Sequence, residues 1–520
     1  MPQLTIDNQN VTVPPGTTLL EAARAAGIEI PTLCHLQGCA PSTSCMVCVV
    51  KVKNPDRLVA SCTARAEDGM QIESETDEVR QARRTAIELL LGDHQGDCIG
   101  PCQSVCPAHL DIPRMLRQTR AGDTAAAAAT ARAALVLPAT LGRICLAPCE
   151  KGCRRATVDE AIAIRLSHRR AGDAALAAAK PALPPREAAT GKHVAVIGAG
   201  PTGLAAAWRL LQAGHGVAVF DDHDQPGGQL RYGVPESKLP RTVLDAEIAL
   251  VHQLGAEFRL GVRVGRDVSV ADLVRDFDAV LAACGALAEG DAAALGLPAT
   301  VHGLATDKHT FATPTAGVFA GGDAVQAHRM AVRAVADGRA AAESILRFLD
   351  ARPLAAAPKP FTTRLGRLAP EEMTSLAAGA SKDARTVPAG GDATGLSPDE
   401  SVREAARCLH CDCRKADDCR LRRWGAALEA LPHRFQGTRR PFELRLDHPH
   451  VVYEPGKCIA CGLCIQVAAR EGEPLGLAFI GRGFSVKVDV PFGETLDAGL
   501  RRAAAACVAA CPTGALAMRD

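Results

Sequence analysis

Hydrophobic and polar positions alternate at the start of the chain, before any other pattern appears. In LTIDNQNVTV, apolar residues alternate with polar ones on both sides of Asn8-Gln9-Asn10, which predicts two strands joined as a hairpin. The apolar positions of TTLLEAARAAG then recur at helical spacing, so a helix is expected that is capped by Thr17 or Thr18 and ended by Gly27. These elements predict a small α+β module.

A second pattern, HVAVIGAGPTGLAAAWRLLQAGHGVAVFDD, predicts a buried strand, a glycine turn, a helix over 203–213 and a second buried strand. Further along, Ala279–Ala283 reads as another buried strand, and a helix is expected over 328–348. Strands that alternate with helices are typical of an α/β domain with a parallel sheet. The region 85–180 is helical and rich in alanine, and 351–400 has the composition of a linker.

The length and composition of the chain limit how many domains it can form and which kinds of partner it can bind. A chain of 520 residues is long enough for three or more domains, and aromatic residues make up only 3%, so the cores consist of Ala, Val and Leu. The 59 Lys and Arg balance 58 Asp and Glu, which argues against nucleic acid or an acidic membrane surface as a partner. With no signal-peptide pattern and no apolar run of ~18 residues, we expect a cytoplasmic chain without a direct membrane span.

The 21 cysteines carry most of the chemistry. They occur in tight groups, and grouped cysteines in a chain without an export signal favour metal ligands over disulfides. The first group has the spacing C-x10-C-x2-C-x13-C and consists of Cys34, Cys45, Cys48 and Cys62, with Cys39 outside the pattern. It resembles the 2Fe–2S ferredoxin domain at the start of the large iron–sulfur subunit of complex I and of related hydrogenase subunits. A structural zinc site is the alternative.

Two C-x3-C-x3-C arms follow, formed by Cys98, Cys102 and Cys106 and by Cys145, Cys149 and Cys153. Six thiolates exceed the four ligands of one 4Fe–4S cluster, so two clusters are predicted. The arms resemble the N-terminal domain of the glutamate synthase small subunit and of dihydropyrimidine dehydrogenase. That resemblance implies one cluster on Cys98, Cys102 and Cys153 and another on Cys106, Cys145 and Cys149. His94 and His168 are the candidate fourth ligands, and an open iron site or a solvent ligand is the alternative.

The glycine turn in the α/β region has the form G-x-G-x-x-G, at Gly198, Gly200 and Gly203, and Asp221 ends the second strand. This is the dinucleotide fingerprint, with its pyrophosphate at a helix N-terminus and its ribose on the acidic residue. The segments 226–240 and 313–325 resemble two flavin-contacting segments of the glutamate synthase small subunit family. The resemblance implies that the turn holds FAD, with contacts from Gly228, Gln229, Leu230 and Asp323.

Those relatives insert an NAD(P)H-binding domain between the counterparts of Gly285 and Asp323. Here residues 286–312 are the only sequence available, and they contain no second glycine fingerprint. One βαβ unit alone needs ~30 residues. Direct oxidation of NAD(P)H by this chain is therefore not expected.

Two cysteine groups lie near the C-terminus. Four cysteines within twelve residues, which fit either a 4Fe–4S cluster or zinc, are Cys408, Cys411, Cys413 and Cys419. A C-x2-C-x2-C triplet and a distant Cys-Pro resemble a bacterial ferredoxin segment, with the ligands Cys458, Cys461, Cys464 and Cys511. Cys507 is the rival of Cys511, and Cys284 belongs to no group.

The sequence thus predicts a multidomain chain of mixed α+β and α/β class. Its expected parts are a β-grasp 2Fe–2S domain (1–80), a helical domain with two 4Fe–4S clusters (81–185), a Rossmann-like FAD domain (190–350), a linker (351–400), a Cys-rich 4Fe–4S segment (401–430) and a ferredoxin-like domain (445–520). The expected cofactors are FAD, one 2Fe–2S cluster and about four 4Fe–4S clusters.

One flavin beside several one-electron carriers indicates an electron-transfer subunit of a multisubunit oxidoreductase. Its partners would be other subunits of a redox complex, such as an NAD(P)H-, formate- or hydrogen-oxidising module. The alternatives are a stand-alone NAD(P)H-dependent oxidoreductase like the glutamate synthase small subunit, and a non-enzymatic redox sensor or scaffold.

Overall fold

The computed structural model describes residues 1–179, 181–356 and 360–519. The strands are β1 Gln3–Ile6, β2 Gln9–Thr12, β3 Val49–Val52, β4 Arg57–Ala60, β5 Gln71–Glu73, β6 His193–Ile197, β7 Gly216–Asp221, β8 Ala256–Leu260, β9 Ala279–Ala282, β10 Ala299–Thr300, β11 Gly303–Leu304, β12 Val318–Ala320, β13 Val451–Tyr453, β14 Ala478–Ile480, β15 Lys487–Asp489 and β16 Leu516–Met518.

The helices are α1 Leu19–Ala25, α2 Asp77–Gly92, α3 Pro101–Val105, α4 Ile112–Arg120, α5 Thr124–Leu135, α6 Pro138–Ile144, α7 Pro148–Lys151, α8 Ile164–Leu176, α9 Pro201–Gln212, α10 Gln229–Tyr232, α11 Arg241–Gln253, α12 Val270–Asp276, α13 Asp291–Leu295, α14 Ala331–Leu349, α15 Pro370–Ala377, α16 Pro398–Ala406, α17 Arg420–Ala427, α18 Leu463–Arg470, α19 Leu496–Gly499 and α20 Ala504–Ala510. Short 3₁₀ turns occupy Arg154–Thr157, Gly322–Ala324, Pro455–Lys457, Gly483–Ser485 and Pro491–Gly493.

The chain divides into two compact units. The first unit consists of Met1–Gly100, Pro360–Gly379 and Leu409–Asp520, and the second consists of Pro101–Lys359 and Ala380–Cys408. The predicted linker therefore contributes to both units, and it includes residues 357–359, which lie outside the described residues. It also holds α15 and buries Leu365, Leu368 and Leu396, so much of it is packed chain.

The N-terminal part of the first unit is a five-stranded mixed sheet in the order β2-β1-β5-β3-β4. The predicted hairpin of β1 and β2 is confirmed, with its turn at Asp7 and Asn8, which both have positive φ. The side chain of Thr18 caps α1 by accepting the N–H of Glu21, and Glu21 returns a bond to the N–H of Thr18. This capping box fixes where α1 begins.

The C-terminal part of the first unit is built from α18, α20 and two antiparallel strand pairs, β13 with β16 and β14 with β15. Its core buries Leu463, Val467 and Leu516 among other apolar residues. The first unit thus holds all of the cysteines up to Cys98 and all of those from Cys411 onward.

The second unit contains an all-parallel sheet in the order β12-β9-β6-β7-β8, which confirms the predicted α/β domain. The helices α9 and α14 pack against each other, and α9 begins at Pro201, two residues before its expected start. The alanine-rich region forms α4, α5, α6 and α8, which pack together. In the described part of the chain no single helix is long and apolar enough to cross a membrane, although α5 and α6, bent by 73°, pass that test as a pair.

Candidate functional site

The first cysteine group lies between the end of α1 and the turn after β4, and its four side chains are buried. Cys34 hydrogen-bonds to Cys45 and Cys48 to Cys62, so their side chains form two close pairs. The pairing lowers the pKa of Cys34 and of Cys48, because each accepts a hydrogen bond from its partner thiol. Four buried thiols that converge are the donor set of an iron–sulfur site. Cys39 is only half-buried in the same loop, and none of the 21 cysteines forms a disulfide.

The four cysteines of the predicted ferredoxin site line one small cavity of the first unit. Cys458 and Cys461 come from the turn that leads into α18, Cys464 lies in its first turn, and Cys511 follows α20 directly. The thiol of Cys507 is fully buried and donates to the carbonyl of Cys464 at 3.4 Å. It is not among the residues that line the cavity. The geometry therefore favours Cys511 over its rival.

These two groups are neighbours within the first unit. The hydroxyl of Ser42, in the N-terminal loop, donates to the carbonyl of Cys461 at 2.8 Å. The backbone of Ala40 exchanges two hydrogen bonds with the side chain of Gln466, at 2.7 and 3.0 Å. The thiols of Cys34 and Cys461 are also close enough to interact electrostatically. The two predicted sites therefore share a hydrogen-bonded boundary.

Cys98 lies in the first unit with two cysteines of the 408–419 segment. The N–H of Cys413 donates to the carbonyl of Cys98 at 3.4 Å. The charge of Cys98 acts on the thiols of both Cys413 and Cys419, and all three are buried. The sequence did not suggest this combination, since it grouped Cys98 with Cys102 and Cys153 and placed Cys413 and Cys419 in a site with Cys408 and Cys411.

His94 is half-buried in the first unit, four residues before Cys98. Among the described residues, its Nδ1 atom has no hydrogen-bond partner. Burial, together with the charge of the neighbouring Lys457, lowers the pKa of His94 to about 4. A neutral, unpartnered imidazole nitrogen is available to bind a metal.

The second unit brings together Cys106, Cys145 and Cys149. Burial raises the pKa of Cys145 and of Cys149, and the charge of Cys106 raises both further, which places the three thiols close together. Cys145 ends α6, whose first N–H groups, of Ala139 and Thr140, donate to the buried carboxylate of Glu247 at 3.0 and 2.8 Å. The carboxylate of Glu247 thus provides hydrogen-bond acceptors for two N–H groups at the start of α6, which would otherwise lack partners within the helix, and it fixes the position of α6.

His168, the second candidate ligand, is also buried in this unit. Its Nδ1 atom lies 3.2 Å from the carbonyl oxygen of Pro138, at the start of α6, whereas Cys145 is at the end of that helix. Cys102 and Cys153 pack against the same apolar core as Cys408, and Cys411 falls in the first unit.

A cavity of about 830 Å³ in the second unit has the dinucleotide turn on its wall. A Cβ on Gly203 would lie 1.9 Å from the carbonyl oxygen of Gly198, so only glycine allows α9 to pack this closely. Gly198 itself has a φ of +106°, whereas a Cβ on Gly200 would have no neighbour closer than 3.9 Å. The turn therefore leaves the space in front of Gly200 and the N-terminus of α9 open for a phosphate.

The other predicted nucleotide contacts line the same cavity, namely Asp221, Gly228, Gln229, Leu230 and Asp323. Asp221 ends β7, and its carboxylate accepts the N–H groups of Ala199 and His223 at 2.7 and 3.0 Å. Asp323 lies in the 3₁₀ turn before α14 and accepts the N–H of His328 at 3.0 Å. The predicted set is thus brought together in one place.

Cys145 also lines this cavity, with Ile144 and Leu146 on either side. The same cysteine also interacts with Cys106 and Cys149. Cys145 therefore belongs both to the three-thiol group and to the lining of the dinucleotide cavity, a relation that spacing alone could not predict.

Between β9 and β12 the chain forms α13 and the two-residue strands β10 and β11. β9 and β12 are adjacent parallel strands, paired from Val280↔Val318 to Ala282↔Ala320. The intervening segment therefore serves as a short crossover, and in the described residues it contains no second nucleotide-binding sheet.

Three protein-family models match separate stretches of the chain. A 2Fe–2S iron–sulfur cluster binding domain matches residues 2–77, dihydropyrimidine dehydrogenase domain II with a 4Fe–4S cluster matches 94–180, and an NAD(P)-binding Rossmann-like domain matches 196–260. The chain therefore combines iron–sulfur domains of two types with a Rossmann-like nucleotide-binding domain.

Among curated relatives, the beta subunit of NADP(+)-dependent formate dehydrogenase from Moorella thermoacetica is 38% identical over 206 residues, 36% of this chain and 29% of that protein. A glutamate synthase [NADPH] small chain from Mycobacterium tuberculosis is 40% identical over 193 residues, 37% of this chain and 40% of that protein. The dihydropyrimidine dehydrogenase subunit PreT of Salmonella typhimurium is 36% identical over 187 residues, 36% of this chain and 45% of that protein. The chain thus spans less than half the length of each of these relatives.

Proposed function

We propose that the chain is an oxidoreductase subunit that relays electrons between a redox site on a partner subunit and FAD, through its own iron–sulfur clusters. One observation carries this proposal. Cys145 lines the dinucleotide cavity and also neighbours Cys106 and Cys149. This arrangement suits electron transfer between a bound flavin and an adjacent cluster site.

The residues of the cavity fit FAD. The glycine turn and the N-terminus of α9 accept a pyrophosphate, and Asp221 accepts a ribose hydroxyl. Gly228 to Leu230 and Asp323 line the cavity as the flavin-contacting segments are expected to do. Bound flavin supplies the exchange between paired and single electrons that a series of clusters cannot supply.

The cysteine groups fit one 2Fe–2S cluster and about four 4Fe–4S clusters. Cys34, Cys45, Cys48 and Cys62 would hold the 2Fe–2S cluster, and the cavity lined by Cys458, Cys461, Cys464 and Cys511 would hold one of the 4Fe–4S clusters. Cys106, Cys145 and Cys149 would supply three thiolates of another, with an external group as the fourth ligand, because His168 faces the opposite end of α6 from Cys145. Thiolate-rich sites of this kind suit the reducing cytoplasm.

The short segment between β9 and β12 supports placing the electron donor or acceptor on a partner. A productively bound nicotinamide dinucleotide needs its own pyrophosphate-binding turn and a ring position beside the flavin. The partner would be an NAD(P)H-, formate- or hydrogen-oxidising module, and the relatives named for formate dehydrogenase and dihydropyrimidine dehydrogenase are themselves called subunits.

Anaerobic stopped-flow mixing of the isolated, FAD-loaded chain with NADH or NADPH tests the proposal. We expect flavin absorbance to persist over the time of catalytic turnover, while dithionite bleaches it. A Gly203→Ala variant, which would place a Cβ 1.9 Å from the carbonyl oxygen of Gly198, is expected to lose FAD and so supplies the cluster-only baseline. Rapid bleaching by either nucleotide would contradict the proposal and favour a stand-alone NAD(P)H-dependent enzyme.

A further inference from the structure

We propose that His94, Cys98, Cys413 and Cys419 form one four-iron site in the first unit, so that the 408–419 segment supplies ligands to two sites and not to one. This site rests on the proposal that the chain carries iron–sulfur clusters, and it replaces the grouping that cysteine spacing predicts.

Direct contacts place Cys98 and Cys413 together. The backbone N–H of Cys413 donates to the carbonyl of Cys98 at 3.4 Å, and both side chains are buried. The sulfur of Cys98 accepts the N–H of Thr363 at 3.4 Å and lies 3.3 Å from its hydroxyl oxygen. A hydrogen-bond donor at a ligand sulfur is the usual means by which a protein orients the thiolate and tunes its cluster.

Cys419 completes the group of three thiols. It precedes α17, and its sulfur accepts the N–H of Arg422 at 3.5 Å, at the positive end of that helix. The same sulfur lies 3.9 Å from the carbonyl oxygen of Pro512, and a Cβ on Gly514, two residues further along, would lie 2.2 Å from the sulfur of Cys413. The stretch 512–514 therefore borders both Cys413 and Cys419, and Cys413 is joined to Cys98 by its backbone hydrogen bond.

His94 supplies the fourth ligand. Its buried Nδ1 atom has no hydrogen-bond partner among the described residues. The imidazole neighbours Lys457, and the charge of Lys457 also acts on the thiol of Cys413. Lys457 is itself buried, and its ammonium donates to the carboxylate of Glu454 at 2.7 Å. A Cβ on Gly514 would lie 3.7 Å from Cδ of Lys457 and 2.2 Å from the sulfur of Cys413, so Lys457 and Cys413 border the same residue.

Cys408 is held elsewhere, in the second unit. The buried guanidinium of Arg155 donates to the carbonyl of Arg407 at 2.9 Å. Arg155 lies two residues after Cys153 and Arg407 directly precedes Cys408, so this bond connects the two parts of the chain. Cys408 shares its apolar core with Cys102 and Cys153. Cys408 therefore belongs to a different unit from Cys98, Cys413 and Cys419.

Pairwise loss of electron paramagnetic resonance signals tests the grouping in the full chain. We expect Cys98→Ser and Cys413→Ser to remove the same four-iron signal, and Cys153→Ser and Cys408→Ser to remove a different one. The FAD absorbance and the 2Fe–2S signal report that each variant is folded. If Cys98→Ser and Cys153→Ser abolished one signal while Cys408→Ser and Cys413→Ser abolished another, the proposed site would be overturned.

Coupling to nitrogen tests His94 as a ligand without requiring that a cluster be lost. Pulsed electron paramagnetic resonance of the unmutated protein should show ¹⁴N hyperfine coupling from an imidazole in one four-iron signal. His94→Cys should remove the coupling and keep the signal, whereas the matched His168→Gln should keep the coupling. Coupling that survives His94→Cys, or that is absent from the unmutated protein, would exclude His94 as a ligand. Total iron separates this outcome from failure of the proposed function, because ~18 iron atoms are expected per chain and ~2 with bound zinc would contradict the clusters themselves.

Discussion

The N-terminal stretch from Cys34 to Cys62 and the segment from Cys408 to Cys419 each supply four cysteines to one predicted site, yet they fold differently. In the loop all four thiols face one another within one unit. In the segment Cys408 belongs to the second unit, and Cys413 and Cys419 lie beside Cys98 in the first. Closely spaced cysteines therefore share a site only where the backbone between them can turn back and bring their thiols together.

The residues around each group explain the difference. Residues 38–44 of the loop are mostly small or turn-forming, and Gly38 and Thr43 have positive φ, so the chain turns back on itself. In the segment the fully buried Arg407 donates to the carboxylates of Glu404 and Asp159 and to the carbonyls of Asp383 and Glu160. Because all of these hydrogen bonds are made inside the second unit, the guanidinium of Arg407 fixes the backbone next to Cys408 there.

The largest expected effect concerns the loop that closes on itself. Cys34→Ser should abolish the 2Fe–2S signal completely, since one of four thiolates is lost, while FAD remains bound in the second unit. The measurements are electron paramagnetic resonance of the dithionite-reduced protein and the absorbance of its flavin. Cys39→Ser, in the same loop, is the matched control and should leave the signal intact. Loss of FAD along with the signal would mean that the two modules do not behave independently.

Sequence reasoning succeeded where a site is encoded locally. The hairpin, α1, the parallel sheet and the glycine turn depend on residues within one strand–turn–helix stretch, and all of them appear in the structure. The cavity lined by Gly198, Gly200, Asp221 and Asp323 also follows from local motifs, because the ends of neighbouring parallel strands meet at one edge of a sheet.

Contacts between distant segments could not be predicted in this way. Thr363 binds the sulfur of Cys98 across 265 positions of sequence, and no spacing rule connects them. The apparent linker looks mobile because it is rich in Ala, Gly and Pro, but it buries leucines and forms α15. Burial against residues hundreds of positions away decides such segments, and a single sequence does not contain that pairing.

A smaller effect is expected when Arg155 is replaced, because it holds the backbone at the start of the split segment, residues 408–419. Arg155→Met deletes the donors to the carbonyls of Arg407 and Ser381, both at 2.9 Å, and leaves buried polar atoms without partners. Breaking a buried, hydrogen-bonded charge of this kind costs ~3–5 kcal/mol. We expect a lower unfolding temperature of the second unit and a weakened signal from the site that includes Cys408, measured by calorimetry and resonance.

The matched control for this change is Arg403→Met, which removes an exposed arginine from α16 in the same unit. It should change the unfolding temperature little, because exposed charges contribute ~0–1 kcal/mol. Equal effects of the two substitutions would mean that Arg155 does not anchor the residue before Cys408. The contrast between the closed loop and the split segment would then lack its physical cause.

The smallest effect tests whether the closed loop is also fixed from outside. The hydroxyl of Ser42 donates to the carbonyl of Cys461 at 2.8 Å, next to the paired contacts of Ala40 with Gln466. Ser42→Ala should cost ~0.5–1.5 kcal/mol, the usual net value of one hydrogen bond. Because the two contacts of Ala40 remain, both cluster signals should persist at full intensity. Amide hydrogen exchange should become faster in the peptides that contain Ala40 and Cys461, whereas Thr12→Ala, which removes an exposed hydroxyl from β2, should leave it unchanged. Unchanged exchange in Ser42→Ala would mean that the hydrogen bond of Ser42 does not help to hold the loop against the turn at Cys461, and that the contacts of Ala40 with Gln466 suffice.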